Sequence, residues 1–369
     1  MFLIAGIILF ILLIVAHEYG HFLVAKRNGI EVEEFGVFFP PKIWGKKMGR
    51  GIFEAYYTIN ALPLGGFVKL KGETDEDERP GSFGAASFKS KIKVMLAGIF
   101  TNYIIGVLLF IVLAFGSLPV VFDDQRVIGG EKVVTNSGVF ISETEEGLPA
   151  DLAGIERSDK IVSVNDQPLD TDSKLLATLL SDNQAKSISI EYEDYSDADK
   201  LTSIEIKLLP SETEQGEKQR VFGATFSGGE LEEIQSEWWS APINGFMFAN
   251  RIFIETFKFI GDAVGSLFTG DPGEAAEDVA GPVGIVNELN NVSSFKALIA
   301  ITANISLALA VANLLPIPGL DGGKLYTMLI FKALRKKLTQ RWETIIYGAG
   351  GLILITLIIA ITINDIAKL

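Results

Sequence analysis

The sequence contains no cysteine and only two histidines among its 369 residues. The lack of cysteine excludes a disulfide framework, thiolate metal sites and cysteine nucleophiles, so any metal must be held by nitrogen and oxygen atoms. The two histidines, His17 and His21, lie four residues apart in one short motif. Chemistry that depends on histidine is therefore confined to that motif.

Basic residues are also fewer than acidic ones, and the net charge is −14. The imbalance is local: residues 120–240 hold 26 acidic and 10 basic side chains, whereas residues 25–93 carry 12 basic ones. Such an acidic segment could not neutralise phosphates, so nucleic acid is not expected as a partner.

Apolar residues, by contrast, are abundant, at 48% of the chain with a mean hydropathy of +0.33. This composition is typical of a membrane protein. Four apolar runs reach or approach the roughly 20 residues that are needed to cross a bilayer. They cover residues 2–24, 94–116, about 298–331 and 345–363.

The basic residues orient these runs. Lys26 and Arg27 follow the first run, which therefore resembles a retained helix rather than a cleaved signal. The positive-inside rule then places residues 25–93 and 332–341 in the cytoplasm and the acidic segment 117–297 outside. We predict a polytopic α-helical protein of the cytoplasmic (inner) membrane with about four transmembrane helices. The alternative is that the second or fourth run is a buried helix of a soluble protein.

Ionisable residues stand at the end of the first run, in the motif HEYGH at 17–21. The spacing places both imidazoles on one helix face, where they can reach a single ion, and Glu18 lies beside them. This is the H-E-x-x-H arrangement of zinc proteases, in which the glutamate is the general base. Alternatively, the histidines could form hydrogen bonds between helices or a proton relay in a transporter.

A catalytic zinc ion needs a third protein ligand. With cysteine and further histidines absent, this must be a carboxylate, and Asp321 is the only one embedded in another apolar run. The surrounding stretch LLPIPGLDGG, 314–323, breaks the helix, and irregular backbone survives in a membrane only beside protein or a water-filled cavity. The alternative is that Asp321 merely forms a turn before two glycines.

These residues resemble those of the site-2 proteases, which are intramembrane zinc metalloproteases, and especially the bacterial members that cleave anti-sigma factors and carry PDZ domains. Five motifs in the expected order carry the resemblance: HEYGH at 17–21, NALPLGGFVKLKGE at 60–73, AGIFTNYIIG at 97–106, AGPVGI at 280–285 and NLLPIPGLDGGK at 313–324. The resemblance implies His17, His21 and Asp321 as zinc ligands and Glu18 as catalytic base.

The resemblance also implies that Asn313 binds the substrate backbone, although a helix-packing role is the alternative. The segment LPLGGFVKL, 62–70, is predicted to form a short membrane-associated β-hairpin whose edge strand accepts an extended substrate; alternatively it is a cytoplasmic loop. The further candidates for substrate binding come from this segment and from the helix break: Gly65, Gly66, Pro316 and Pro318. Asn102 stands in AGIFTN where relatives commonly have AGPxxN, and it is expected to pack between helices near the site.

The acidic segment resembles one PDZ domain, an α+β module with its core at 137–210. The usual glycine of its A-G-L-x-x-G-D-x-I motif is replaced by Ser158. Such a module could bind a peptide by strand addition beside Val139 and Ile141, or it could exclude bulky substrates; the sequence leaves both open.

The following segment, 237–268, is predicted to be an amphipathic helix with Trp238 and Trp239 at the membrane interface, or else a fifth span.

The predicted organisation therefore has four parts. They are a first membrane half at 1–116, an extracytoplasmic PDZ domain at 120–230, an interfacial segment at 237–297 and a second membrane half at 298–369. The predicted function is that of an intramembrane protease with Zn²⁺ as cofactor. Its expected partners are membrane-spanning protein substrates such as anti-sigma factors, membrane lipid and a peptide ligand of the PDZ domain. The alternative function is a non-hydrolytic transporter or metal-binding scaffold.

Overall fold

The fold is that of a computed structural model with two compact units, Met1–Phe115 with Ala241–Leu369, and Gly116–Ser240. The structure describes residues 2–73, 77–145, 147–156, 159–171, 173–180, 187–193, 201–212, 218–269, 281–290, 292 and 294–367. Its α-helices are α1 Phe2–Arg27, α2 Phe88–Ala114, α3 Pro149–Leu152, α4 Ser173–Leu180, α5 Ala241–Thr269, α6 Pro282–Asn290, α7 Phe295–Leu314, α8 Asp321–Ala333 and α9 Gln340–Ala367.

Strands occur in both units. In the first unit they are β1 Val32–Met48 and β2 Ala55–Leu70, separated by a 3-10 turn at Gly51–Phe53. Those of the second unit are β3 Leu118–Pro119, β4 Gly130–Thr144, β5 Lys160–Val164, β6 Gln167–Pro168, β7 Ser187–Glu193, β8 Leu201–Lys207, β9 Leu209–Glu212, β10 Lys218–Val221 and β11 Ala224–Ser236.

Four helices are long and apolar enough to cross a membrane: α1, α2, α7 and the Gln340–Ile363 part of α9. The prediction of four such helices is confirmed. In α9 the side chains of Leu352, Ile353 and Ile355 are more than half exposed. An apolar helix surface of this size is typical of contact with lipid.

The third apolar run differs from the prediction of one interrupted span. Helix α7 ends at Leu314 and α8 begins at Asp321, and only α7 is long enough to span. Pro316 and Pro318 lack the N–H groups that a continuous helix would need. Gly319 has a φ of +106°, a conformation that side chains rarely adopt, so the chain turns sharply before α8.

The hairpin region is larger than predicted, and the interpretation of 62–70 as a complete hairpin was wrong. Strands β1 and β2 each bend, so that Phe35 pairs with Val68 on one side and with Tyr57 on the other. The result is a mixed four-stranded sheet with residues 66–70 as one edge: the two outer pairings are antiparallel, whereas residues 34–37 and 56–59 run parallel in the middle. Pro40 and Pro41, which argue against a strand in the sequence, lie where β1 bends between its two limbs.

Helix α2 lies at the centre of the helical unit, where it packs against α1, α5 and α7. Small residues allow the close approach: an added Cβ on Gly20 would lie 2.9 Å from the Ala97 oxygen. On the α5 side, Phe110 packs edge-on against Phe248 with ring centroids 5.0 Å apart. Helix α5 is not among the candidate spans found in the described residues.

The second unit contains a seven-stranded sheet whose main path is β3-β11-β4-β5-β7-β8, with β6 paired to β5. Alternate residues of these strands point inward, and Val139, Ile161 and Ile190 are fully buried in one apolar core with Leu176 of α4. Strands β3 and β11 pair outside the predicted core of 137–210. Ser158 lies outside the described residues, and the PDZ assignment of this unit stays a prediction.

Candidate metal centre and active site

Helix α1 presents His17 and His21 on its buried face, one turn apart. Their Nε2 atoms are 3.2 Å apart and the ring centroids are 4.9 Å apart. This follows directly from the i, i+4 spacing in a regular helix. The two nitrogens therefore face the same small volume.

Asp321 completes this group from the other end of the sequence. It is the first residue of α8, and its Oδ2 atom lies 3.0 Å from Nε2 of His17 and 2.9 Å from Nε2 of His21. The sharp turn at 315–320 aims the start of α8 at α1. Within the described residues, these three side chains form a group that could hold a metal ion.

The outer nitrogens of the imidazoles have their own partners. Nδ1 of His21 donates to the Val94 carbonyl at 2.7 Å, and Nδ1 of His17 lies 3.2 Å from the side-chain amide of Asn102. A donating Nδ1–H leaves the lone pair on Nε2, which is the tautomer that binds metal. The Asn102 oxygen has no hydrogen-bond partner among the residues that the structure describes. Rotation of that amide by half a turn would let the oxygen accept from Nδ1–H of His17.

The donor atoms fit a zinc ion. Ligands at roughly 2.0–2.1 Å in a tetrahedral site lie about 3.3 Å from one another. The observed separations of 3.2, 3.0 and 2.9 Å need only a slight outward shift to match. Three acceptor atoms at such distances repel one another unless a cation, either a metal ion or a proton, lies between them.

Glycine 98 forms the wall behind the imidazoles. A Cβ added to Gly98 would lie 2.3 Å from Nε2 of His21 and 2.5 Å from Nε2 of His17. These distances are far below van der Waals contact, so the backbone of α2 approaches the rings as closely as possible. Only glycine is compatible with this arrangement.

Glu18 lies beside the three atoms that could bind the metal, in a cavity of about 130 Å³. The lining of this cavity also includes Asp321, His21 and Val68. The backbone of Val68 in the edge strand lies beside the Glu18 carboxyl. An added Cβ on Gly66 would lie 3.1 Å from Cγ of Glu18. The carboxyl, the donor cluster and the strand edge therefore meet at one place.

Not every predicted site residue lies there. Asn313 donates to the Leu309 carbonyl of its own helix at 3.0 Å, and an added Cβ on Gly65 would meet the ring of Phe39. Neither they nor the two prolines line the cavity at Glu18. The substrate-binding roles of all five candidates remain predictions: Asn313, Gly65, Gly66, Pro316 and Pro318.

Sequence reasoning missed several residues of the site. Glu73 and Lys324 line the same cavity, and Glu73 accepts a hydrogen bond from the Leu70 N–H at 3.0 Å. Asn102, expected only to pack between helices, contacts His17 directly. Their place in the sequence could have identified Glu73 and Lys324 as site residues, because they are the last residues of two motifs that carry the family resemblance.

Comparisons with known proteins agree with this geometry. The sequence pattern of peptidase family M50 matches residues 5–357. A relative from Clostridium perfringens is 33% identical over 99% of this chain and 98% of its own length, and one from Clostridium acetobutylicum is 29% identical over 99% and 97%. A Helicobacter pylori protein is 25% identical over the whole of both chains. All three carry provisional names as zinc metalloproteases.

A solved structure, the PDZ domain of an SdrC-like protein from Listeria monocytogenes, covers 26% of this chain and 92% of its own, with 20% identity and a TM-score of 0.21. The family match and the full-length relatives confirm the predictions of a zinc-dependent protease and of Zn²⁺ as its cofactor. The chain belongs to peptidase family M50, the site-2 proteases, and is a zinc metalloprotease.

Proposed function

We propose that this protease hydrolyses peptide bonds in or near the transmembrane segments of other membrane proteins, such as anti-sigma factors. One observation carries the proposal: Glu18, His21, Asp321 and the edge strand line one cavity, and His17 lies in the same cluster of metal-binding atoms as His21 and Asp321. A protease with this arrangement can act on a peptide that has left its own helix within or beside the bilayer.

In this proposal His17, His21 and Asp321 hold zinc, which acts when bound as a Lewis acid that activates water and polarises a carbonyl. Glu18 is the general base: its carboxylate takes up a proton and later delivers it to the nitrogen of the leaving amine. Asn102 and the Val94 carbonyl hold the imidazoles in the required tautomer.

The edge strand is the proposed platform for the substrate. Because Lys71 N–H donates inward to the Glu31 carbonyl, the alternation of an antiparallel strand turns the N–H groups of Val68 and Leu70 outward. An extended peptide could pair with this edge, and this pairing would expose the carbonyl groups of the peptide to attack. A transmembrane helix offers no such amides until it unwinds.

The remaining predicted contacts extend this platform. Gly66, whose added Cβ would lie 3.1 Å from Cγ of Glu18, is proposed to contact the substrate near the scissile bond. Asn313, Gly65, Pro316 and Pro318 are proposed to contact the substrate further away, after their side chains or backbone move. By the positive-inside rule the enzyme lies in the cytoplasmic membrane, with the acidic second unit outside. That unit is proposed to act as a PDZ domain, either capturing a peptide tail or excluding substrates with bulky outer domains.

The test is Glu18→Gln in the full-length protein, reconstituted with a single-pass membrane substrate. We expect cleavage to fall by about 10²- to 10⁴-fold because the amide cannot accept the proton. Zinc content should not change. Glu33→Gln, on the exposed ion pair with Lys69, is the matched control and should cleave normally.

Two outcomes would contradict the proposal. Equal turnover by the Glu18 variant would exclude its role as base. Wild-type protein that binds zinc and cleaves soluble proteins but no membrane-spanning substrate would exclude hydrolysis in or near transmembrane segments.

A further inference from the structure

A groove of about 580 Å³ lies between the end of α1 and the beginning of α2, and it shares no lining residue with the cavity at Glu18. At the ends of the two helices the groove is polar and basic, with Arg27, Asn28 and Lys93. Further along the two helices it is apolar, with Val24, Leu96 and Phe100. The volume lies within the range of about 300–1,000 Å³ that is typical of small-molecule sites.

The position of the groove matches the boundary between lipid headgroups and acyl chains. Arg27 is the last residue of α1, and Lys93 lies in the second turn of α2, so both cations stand at the ends of apolar helices. Phe100, two turns further along α2, is 62% exposed and extends the apolar surface toward the middle of the helix. A ligand in this groove would therefore have a polar end above an apolar one.

The charges in the groove are of one sign. The lining includes two cations and no carboxylate. Both cations are exposed, and neither side chain forms a hydrogen bond or ion pair with another residue that the structure describes. Basic pockets between transmembrane helices bind the headgroups of anionic lipids. A zwitterionic headgroup would not provide the same net attraction.

We propose that this groove binds one anionic phospholipid, with its phosphate between Arg27 and Lys93 and an acyl chain along Leu96 and Phe100. The site is separate from the proteolytic chemistry, so binding does not depend on the proposed substrate or on Glu18. It does share α2 with the metal centre, because Gly98, next to the groove residue Ala97, faces the two imidazoles.

The test uses the full-length protein in nanodiscs of phosphatidylcholine with a minority of phosphatidylglycerol. Lipids that stay bound after transfer to detergent are identified by mass spectrometry. Wild-type protein should retain phosphatidylglycerol in preference to phosphatidylcholine. Arg27→Gln combined with Lys93→Gln should lower this preference by about fivefold for each charge removed.

Two further variants make the result specific. Arg27→Lys with Lys93→Arg keeps both charges and should retain phosphatidylglycerol. Lys46→Gln with Arg50→Gln removes the same two residue types from the exposed end of the β1–β2 hairpin and should leave retention unchanged. An undiminished preference in the Arg27/Lys93 glutamine variant would overturn the proposal. An equal loss in the Lys46/Arg50 variant would show binding to general surface charge and would overturn the groove as the site.

Discussion

At the scale of single residues, the two imidazoles differ in what holds their outer nitrogens. His21 is fixed by a main-chain carbonyl, that of Val94, which no substitution removes. His17 is fixed by a side chain, the buried amide of Asn102. Affinity for the metal is therefore open to change by mutation at Asn102, with the ligands themselves intact.

We predict that Asn102→Ala lowers the affinity for zinc by about 10- to 100-fold, because the ring of His17 loses the partner that fixes its tautomer. Asn102→Asp should retain most of the affinity, since a carboxylate accepts from Nδ1–H. Titration with a competing chelator measures both variants. Equal affinities of the wild type and the alanine variant would exclude this role.

A second prediction concerns the closest backbone approach to the site. Gly98→Ala should abolish zinc binding, because the new methyl group would lie within 2.6 Å of both imidazole rings. Gly348→Ala, inside helix α9, is the control, because its added methyl group would meet no atom of the described residues within 4 Å. Zinc analysis of the purified variants separates them. If the Gly98 variant retains a full complement of zinc, α2 can move away more easily than its packing suggests.

At the scale of elements, the sequence predicts where a helix ends better than it predicts which strands pair. Two prolines and a cluster of glycines made the break before Asp321 predictable, although the separation into α7 and α8 was not. The edge strand at 66–70 was predictable from alternation. Its partner strand could not be predicted, because β1 contains Pro40 and Pro41. In addition, strands β1 and β2 pair with each other along more than one edge, and this depends on bends that no local pattern specifies.

The edge strand has a resting partner whose removal can be tested. The outward N–H of Leu70 donates to Glu73, whose carboxylate thus occupies an amide that a substrate carbonyl would use. Glu73→Ala should lower KM for a membrane substrate by about fivefold, the equivalent of one hydrogen bond, while kcat stays constant. Glu33→Ala, which breaks only an exposed ion pair with Lys69, is the control. A KM that is unchanged or higher would mean that substrate does not pair at Leu70.

At the scale of the whole molecule, scarcity decided what sequence reasoning could find. His17 and Asp321 are 304 residues apart, yet elimination connected them because the chain has no cysteine and no third histidine. No comparable scarcity distinguishes Asn102 among the asparagines or Glu73 among the glutamates. Their roles arise from contacts between distant helices and strands, which only the fold reveals.

Composition also separates the apolar unit from the acidic one, and each has its own core. The second unit, residues 116–240, buries a cluster that includes Val139, Ile161 and Ile190. Its first and last strands pair, with Leu118 opposite Ile234, so the two ends of the unit lie together. We therefore expect residues 116–240 to fold when expressed alone and to unfold in one cooperative transition.

Ile161→Ala tests this independence. Because the side chain is fully buried, the substitution should lower the free energy of unfolding of the isolated unit by about 2–5 kcal/mol, measured by urea denaturation. Leu152→Ala, at a position that is 75% exposed, should change it by less than about 0.5 kcal/mol. In the full-length protein the Ile161 variant should bind zinc as the wild type does, since the three proposed metal ligands all belong to the other unit. Loss of zinc on this substitution would show that the metal centre depends on the acidic unit for its folding.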